Sequence, residues 1–131
     1  MIDCMILGDS IAVGVAQQRT ECVAYAKVGI NSRDWVNKNI TKDLSANTVI
    51  ISLGSNDHYK IHTFKELLAI RSLVTASKVF WILPANNTDI QENIKIIARN
   101  HNDTVLPIPA LTKDGVHPTG NAYKELAKLT K

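Results

Sequence analysis

Thr48-Val49-Ile50-Ile51-Ser52-Leu53 is the stretch on which the fold turns. Its apolar residues run consecutively instead of alternating, the pattern of a strand buried on both faces. Such a strand belongs inside a parallel sheet covered by helices on either side. It runs directly into Gly54-Ser55-Asn56-Asp57, a group of turn-forming residues. Working back toward the N-terminus, Ile2 to Leu7 reads as a first strand, followed by Gly8-Asp9-Ser10 and a helix over Ile11 to Gln18. Cys22 to Val28 reads as a second strand and Ser32 to Asn39 as a helix with Trp35 and Val36 inward. In the other direction, Thr63-x-x-Glu66 has the pattern of a capping box, with Leu67, Leu68, Leu73 and Val74 as the apolar residues of its helix. Lys78 to Leu83 predicts a fourth strand, stopped by Pro84. Thr88-x-x-Gln91 predicts a second capping box, before Ile90, Ile94, Ile97 and Ala98 at helical spacing. Thr104 to Ile108 predicts a short fifth strand, and Thr119 to Leu129 a last helix with Tyr123, Leu126, Ala127 and Leu129 on its apolar side.

Strands alternating with helices predict an α/β domain with a five-stranded parallel sheet, and residues 1–131 are expected to form that single domain. In such sheets ligands bind beyond the carboxyl ends of the strands. Ser10, Gly29, Asn56 and the loop after Pro84 all follow predicted strand ends.

Composition narrows the function classes. Of the 131 residues 45% are apolar, and the net charge of +3 is dispersed along the chain. There is no basic block and no basic stripe with interleaved aromatics, so no nucleic-acid partner is expected. No apolar run approaches the length of a membrane span, so no membrane partner is expected either. Met1 stands immediately before the first strand, which leaves no room for a secretion leader. The expected location is cytoplasmic, or outside after release without a signal peptide. Cys4 and Cys22 are expected to be buried thiols and not a bridge. Two lone cysteines without a nearby histidine pair make no metal site.

The polar residues at the strand ends fit one reaction. A serine hydroxyl is a weak nucleophile at neutral pH and needs a base. Ser10 is the candidate nucleophile and His117 the candidate base, because histidine titrates near neutrality. Asp114, three residues before His117, can accept the Nδ1 proton and leave Nε2 for Ser10. Attack on a carbonyl creates an oxyanion, which needs preorganised donors. The candidates are the backbone N–H of Ser10 at a helix start, the side-chain amide of Asn56 and the backbone N–H of Gly29. Asp9, Tyr59 and Asn86 are candidate substrate contacts, with a structural role in the loop backbone as the other reading of Asp9. Asp57 is expected to be a turn or cap group. His58 and His62 lie near the third block and could edge the site. Trp35 and Trp81 are assigned to the core.

These blocks together resemble the SGNH (GDSL-type) hydrolase family over almost the whole chain. Gly8-Asp9-Ser10 matches the nucleophile block, Gly29 in Val28-Gly29-Ile30-Asn31-Ser32 the second, Gly54-Ser55-Asn56-Asp57 the third and Asp114-x-x-His117 the last. Pro118-x-Gly120-x-x-Tyr123 is also similar to the family's ending. The resemblance implies a flavodoxin-like three-layer α/β/α sandwich. It also implies ester hydrolysis by Ser10, His117 and Asp114 without metal or cofactor, with Ser10, Gly29 and Asn56 as the oxyanion hole. Three departures stand out: the chain is short for the family, its second block has a single glycine, and Ser55 replaces the threonine often found in the third block.

The substrate is expected to be a small-molecule or glycan ester with a short acyl group, because few aromatics and no long apolar lid are present. A thioesterase or lysophospholipase of the same mechanism is the alternative. A phosphate- or flavin-binding protein would use the same first loop, but that loop has no lysine and no cluster of hydroxyls. A binding module that kept the fold without turnover is the remaining reading. The absence of a G-x-S-x-G elbow weighs against an α/β-hydrolase.

Overall fold

The computed structural model describes residues 2–131. The elements run β1 (Ile2–Gly8), α1 (Ser10–Gln18), β2 (Val23–Ala26), α2 (Ser32–Asn39), β3 (Leu44–Ser52), α3 (Thr63–Leu73), β4 (Val74–Ile82), α4 (Thr88–His101), β5 (Thr104–Leu106) and α5 (Gly120–Leu129). The five strands form one sheet in the order β2-β1-β3-β4-β5, every neighbour parallel.

Consecutive apolar residues become a two-sided core because side chains alternate along a strand. β1 sends Ile6 to one face and Met5 and Leu7 to the other. β3 does the same with Ile50 against Val49 and Ile51. On the first face these residues meet Ile11 and Val15 of α1 and Leu126 of α5. On the second they meet Trp35 of α2, Leu67 and Ile70 of α3, and Ile90, Ile94 and Ile97 of α4. The result is the three-layer sandwich expected. Its strand order reverses direction between β1 and β3, the switch point beyond whose carboxyl ends ligands bind in such sheets. The residues that follow these two strands are Asp9-Ser10 and the Asn56 loop.

Several boundaries move. β3 begins at Leu44 and β4 at Val74, each four residues before its expected start. Their first halves alternate apolar and polar residues, as in Leu44-Ser45-Ala46-Asn47, which hides them from a search for continuous apolar runs. Val74, expected in the helix, is the first residue of β4 and pairs with Leu44. The capping residues lie one position earlier than the two capping boxes suggested. His62 Nδ1 accepts from Lys65 N at 3.3 Å to cap α3, and Asn87 Oδ1 accepts from Ile90 N at 3.1 Å to cap α4.

Cys4 and Cys22 are joined by a disulfide, contrary to the expectation of free thiols. Parallel pairing sets Met5 beside Val23, so the two cysteines face each other one residue earlier, their Cα atoms 4.8 Å apart. A separation of 18 residues in the chain carries no sign of that crossover pairing. Among the described residues no helix is long and apolar enough to cross a membrane.

Candidate active site

Gly8 allows the first loop to form. Its φ is +147°, and a Cβ there would stand 1.9 Å from the Ser52 carbonyl oxygen, so only glycine fits between the ends of β1 and β3. Asp9 then caps α1, its Oδ1 accepting from Ile11 N at 3.0 Å. With the cap supplied by Asp9, Ser10 is the first helical residue and its hydroxyl is free for another partner. That partner is His117, with Oγ and Nε2 2.9 Å apart.

His117 and Asp114 sit on a short hairpin between β5 and α5. Thr119 N donates to Ala110 O at 3.0 Å and Thr112 N to His117 O at 2.9 Å, closing the hairpin around a turn in which Gly115 has φ +72°. Asp114 Oδ1 collects three donors: the Thr112 hydroxyl at 2.7 Å, and the backbone N–H groups of Val116 and His117 at 2.9 Å each. Its Oδ2 lies 2.6 Å from His117 Nδ1. The Thr112 hydroxyl first, then the N–H groups of His117 and Val116 and the imidazole, hold the Asp114 carboxyl far below the usual carboxylate range. An ionised Asp114 keeps the proton on Nδ1 and turns the Nε2 lone pair toward Ser10. Both side chains are nearly half exposed, at 43% for His117 and 48% for Asp114, so the site is an open shelf and not a tunnel.

The three candidate oxyanion donors lie at the ends of β1, β2 and β3. The Ser10 N–H belongs to the first turn of α1 and has no intrahelical acceptor. Gly29 is exposed with φ +80°, and no atom lies within 4 Å of where a Cβ would be. Glycine serves there for its backbone angle. Asn56 Nδ2 donates to Ile30 O at 3.1 Å, which fixes the amide against the loop that carries Gly29 and leaves its second hydrogen available.

Of the two readings of Asp9, the structural one fits the structure and that of a substrate contact does not, because its side chain is fully buried. Besides Ile11 N, its Oδ1 accepts from the Ser52 hydroxyl at 3.3 Å, while Oδ2 has no partner. Burial pushes its carboxyl up to about 6, against the hydrogen bonds from Ile11 and Ser52.

Asn86 and Tyr59 flank the third loop. Asn86 Nδ2 donates to Ser55 O at 3.2 Å and ties the loop after β4 to the loop after β3. Tyr59 is 90% exposed. It lines a cavity of about 590 Å³ together with Asp57, His58, His62, Phe64 and Asn87, beside the Asn56 loop and without Ser10 or His117 in its wall. Trp35 and Trp81 are buried, as expected. The residue the sequence reading undervalued is Asp57, whose carboxylate accepts from the Ser32 backbone and hydroxyl and from the Thr63 hydroxyl. Nothing in the spacing announces those pairings. Among the described residues, the one cluster of metal-type ligand atoms is Cys4, Glu21 and Cys22, and both of its sulfurs are in the disulfide.

No family profile and no curated protein matches the sequence. Solved structures do match the fold. A Bacteroides fragilis protein provisionally assigned as an acylhydrolase superposes with a TM-score of 0.68 at 19% identity, covering 98% of this chain and 84% of its own. A Parabacteroides merdae protein provisionally assigned as a GDSL-like lipase gives 0.68 at 16% identity, covering 96% and 95%. The C-terminal catalytic domain of peptidoglycan O-acetyltransferase A from Streptococcus pneumoniae gives 0.60 at 16% identity, covering 96% and 88%. These likenesses establish the three-layer α/β/α fold that the four sequence blocks implied.

Proposed function

We propose that this chain is a serine ester hydrolase of the SGNH type, working through an acyl-enzyme. The observation that carries the reading is the continuous relay from Ser10 Oγ to His117 Nε2, 2.9 Å, and from His117 Nδ1 to Asp114 Oδ2, 2.6 Å. Ser10 Oγ attacks the ester carbonyl carbon while its proton passes to Nε2. The imidazolium is stabilised by Asp114, and the oxyanion by Ser10 N–H, Gly29 N–H and Asn56. Collapse breaks the ester C–O bond, and the leaving alkoxide takes the proton from Nε2. Water then attacks the acyl-enzyme, gives its proton to Nε2, and the acid leaves as Ser10 recovers that proton. Every step is supplied by these side chains, so the reaction needs no metal.

The open shelf favours short acyl groups, acetate first, because His117 and Asp114 stand nearly half exposed beside Ser10. Tyr59 and the amides beside the Asn56 loop supply the aromatic and hydrogen-bonding groups that a carbohydrate alcohol portion would use. The likeness to a peptidoglycan O-acetyltransferase domain supports the same substrate class, an acetylated carbohydrate or cell-wall glycan. Of the two expected locations, the Cys4–Cys22 bridge favours the one outside the reducing cytoplasm.

The test is release of p-nitrophenol from its acetate ester, in EDTA, by wild type and Ser10→Ala. Wild-type turnover is expected to collapse by about a thousandfold or more in the variant. Equal rates, or folded wild type with no turnover, would remove the reading. Faster turnover of long-chain esters or acyl thioesters would move the substrate to the lysophospholipase or thioesterase class.

A further inference from the structure

The two candidate oxyanion donors that do not come from Ser10 lie on different loops. Gly29 is on the β2–α2 loop and Asn56 on the β3–α3 loop. Asp57 joins these loops. Its Oδ1 accepts from Ser32 N at 2.8 Å, and its Oδ2 from Ser32 Oγ at 2.5 Å and Thr63 Oγ1 at 2.8 Å. Ser32 and Thr63 are the first residues of α2 and α3, so the carboxylate lies between two helix starts and draws both toward the third block. Its chain neighbour Asn56 spans the same gap from the other side through Ile30 O at 3.1 Å. Ile30 follows Gly29 and stands two residues before Ser32. Three hydrogen bonds therefore converge on a segment of four residues, Gly29 to Ser32, and a fourth ties Asp57 to the start of α3.

We infer that Asp57 is a positioning residue of the proposed reaction, setting the Gly29 N–H and the Asn56 amide at the spacing the oxyanion needs. The inference rests on the ester-hydrolase reading. Neither α2 nor α3 needs this carboxylate as its cap, because Asn31 Oδ1 accepts from Asp34 N at 2.8 Å and His62 Nδ1 from Lys65 N at 3.3 Å. Both helices are already capped, so the carboxylate's distinct effect is to hold one loop against the other. A shift of a few tenths of an ångström there would leave substrate binding intact but misalign donors that act on the transition state.

The experiment compares wild type, Ser10→Ala, Asp57→Ala and Asp57→Asn on p-nitrophenyl acetate, with thermal unfolding and amide exchange recorded alongside. Asp57→Ala is expected to lose about 100-fold in kcat, the scale of a lost oxyanion donor, with KM little changed. Its Ser32 amide is expected to lose protection from exchange. Asp57→Asn keeps an oxygen for Ser32 N–H and offers an N–H to a hydroxyl that can accept, so it is expected to recover kcat to within about tenfold of wild type. If Asp57→Ala does not fold, the Ser32→Ala/Thr63→Ala pair, which spares both caps and the carboxylate, is expected to lose about tenfold in kcat. Active wild type with unchanged kcat in Asp57→Ala, or in that pair, overturns the positioning role. So does a loss confined to KM. Wild type without Ser10-dependent turnover instead overturns the ester-hydrolase reading, and the positioning role falls with it.

Discussion

Asp9 and Ser52 are joined twice across the ends of β1 and β3. The Asp9 backbone N–H donates to the Ser52 carbonyl at 3.0 Å, and the Ser52 hydroxyl donates to Asp9 Oδ1 at 3.3 Å. This double link fixes the turn that carries Ser10 to the strand that leads to Asn56. Its cost is a carboxyl group removed from water with one oxygen unpartnered. The nucleophile's turn is therefore firm because a titratable group is buried beneath it.

That burial predicts a pH-dependent stability. Asp9 is raised from 3.8 to about 6 in the folded chain, so between these values the native state binds more protons than the unfolded state. Its contribution is fully present below the unfolded value and is lost as pH rises through about 6. The loss is on the order of 3 kcal/mol. Asp9→Asn cannot ionise, so the gap between variant and wild type should shift in the variant's favour by about that amount from pH 4 to 7. Urea midpoints measured across this range check it, and parallel curves would show that Asp9 does not titrate there.

Asp114 makes the opposite prediction for activity. Its carboxyl stays ionised well below the usual carboxylate range, held by Thr112 first and then by the His117 and Val116 amides and the ring. Acidification through the ordinary carboxylate range should therefore leave Asp114 ionised and holding the ring. The ratio of kcat/KM between wild type and Asp114→Asn should stay constant from about pH 5 to about pH 4. A ratio that shrinks toward one across this interval would mean that Asp114 titrates there. Asp114→Asn should cost about a thousandfold or more, because the amide favours the wrong tautomer.

Much of this was legible in the sequence, for a local reason. Thr48 to Leu53 revealed the central strand because burial on both faces leaves a continuous apolar run, and Asp114-x-x-His117 revealed its pair because three residues fit within one turn. The missed features depend on contacts distant in the chain. Asp57 meets Ser32 across 25 residues, and Cys4 meets Cys22 through a parallel crossover. Asp9 was legible as a structural group of the first block, and the packing of β3 against β1 decides between that reading and a substrate contact by burying it.

The disulfide predicts a measurable stabilisation. It closes a loop with a sequence separation of 18 residues around α1. Chain-entropy estimates put such a constraint at about 3 kcal/mol. Reduction, or Cys4→Ser/Cys22→Ser, should lower Tm by about 10 °C for a domain of this size. Calorimetry with and without reductant checks this. Identical Tm values would show that the bridge does not form in solution or stores no stability.

The packing of α1 on α5 predicts a long-range effect on the site. Gly14 faces Tyr123, and a Cβ at Gly14 would lie 2.3 Å from Tyr123 Cε1 and 2.4 Å from Cζ. Gly14→Ala gains about 1 kcal/mol of helix propensity. The clash costs about 1–3 kcal/mol, and because it falls on a ring held in the helix interface it should outweigh the gain. Tyr123 packs partly buried against α1, so part of the push passes to α5, whose cap Thr119 stands two residues after His117. Gly14→Ala is therefore expected to lower kcat/KM as well as Tm, although Gly14 touches no reacting atom. Replacing Tyr123 with leucine in the same chain should restore both, which separates a steric push from a loss of backbone flexibility. A double variant no better than Gly14→Ala alone would place the effect in α1 and not in the contact.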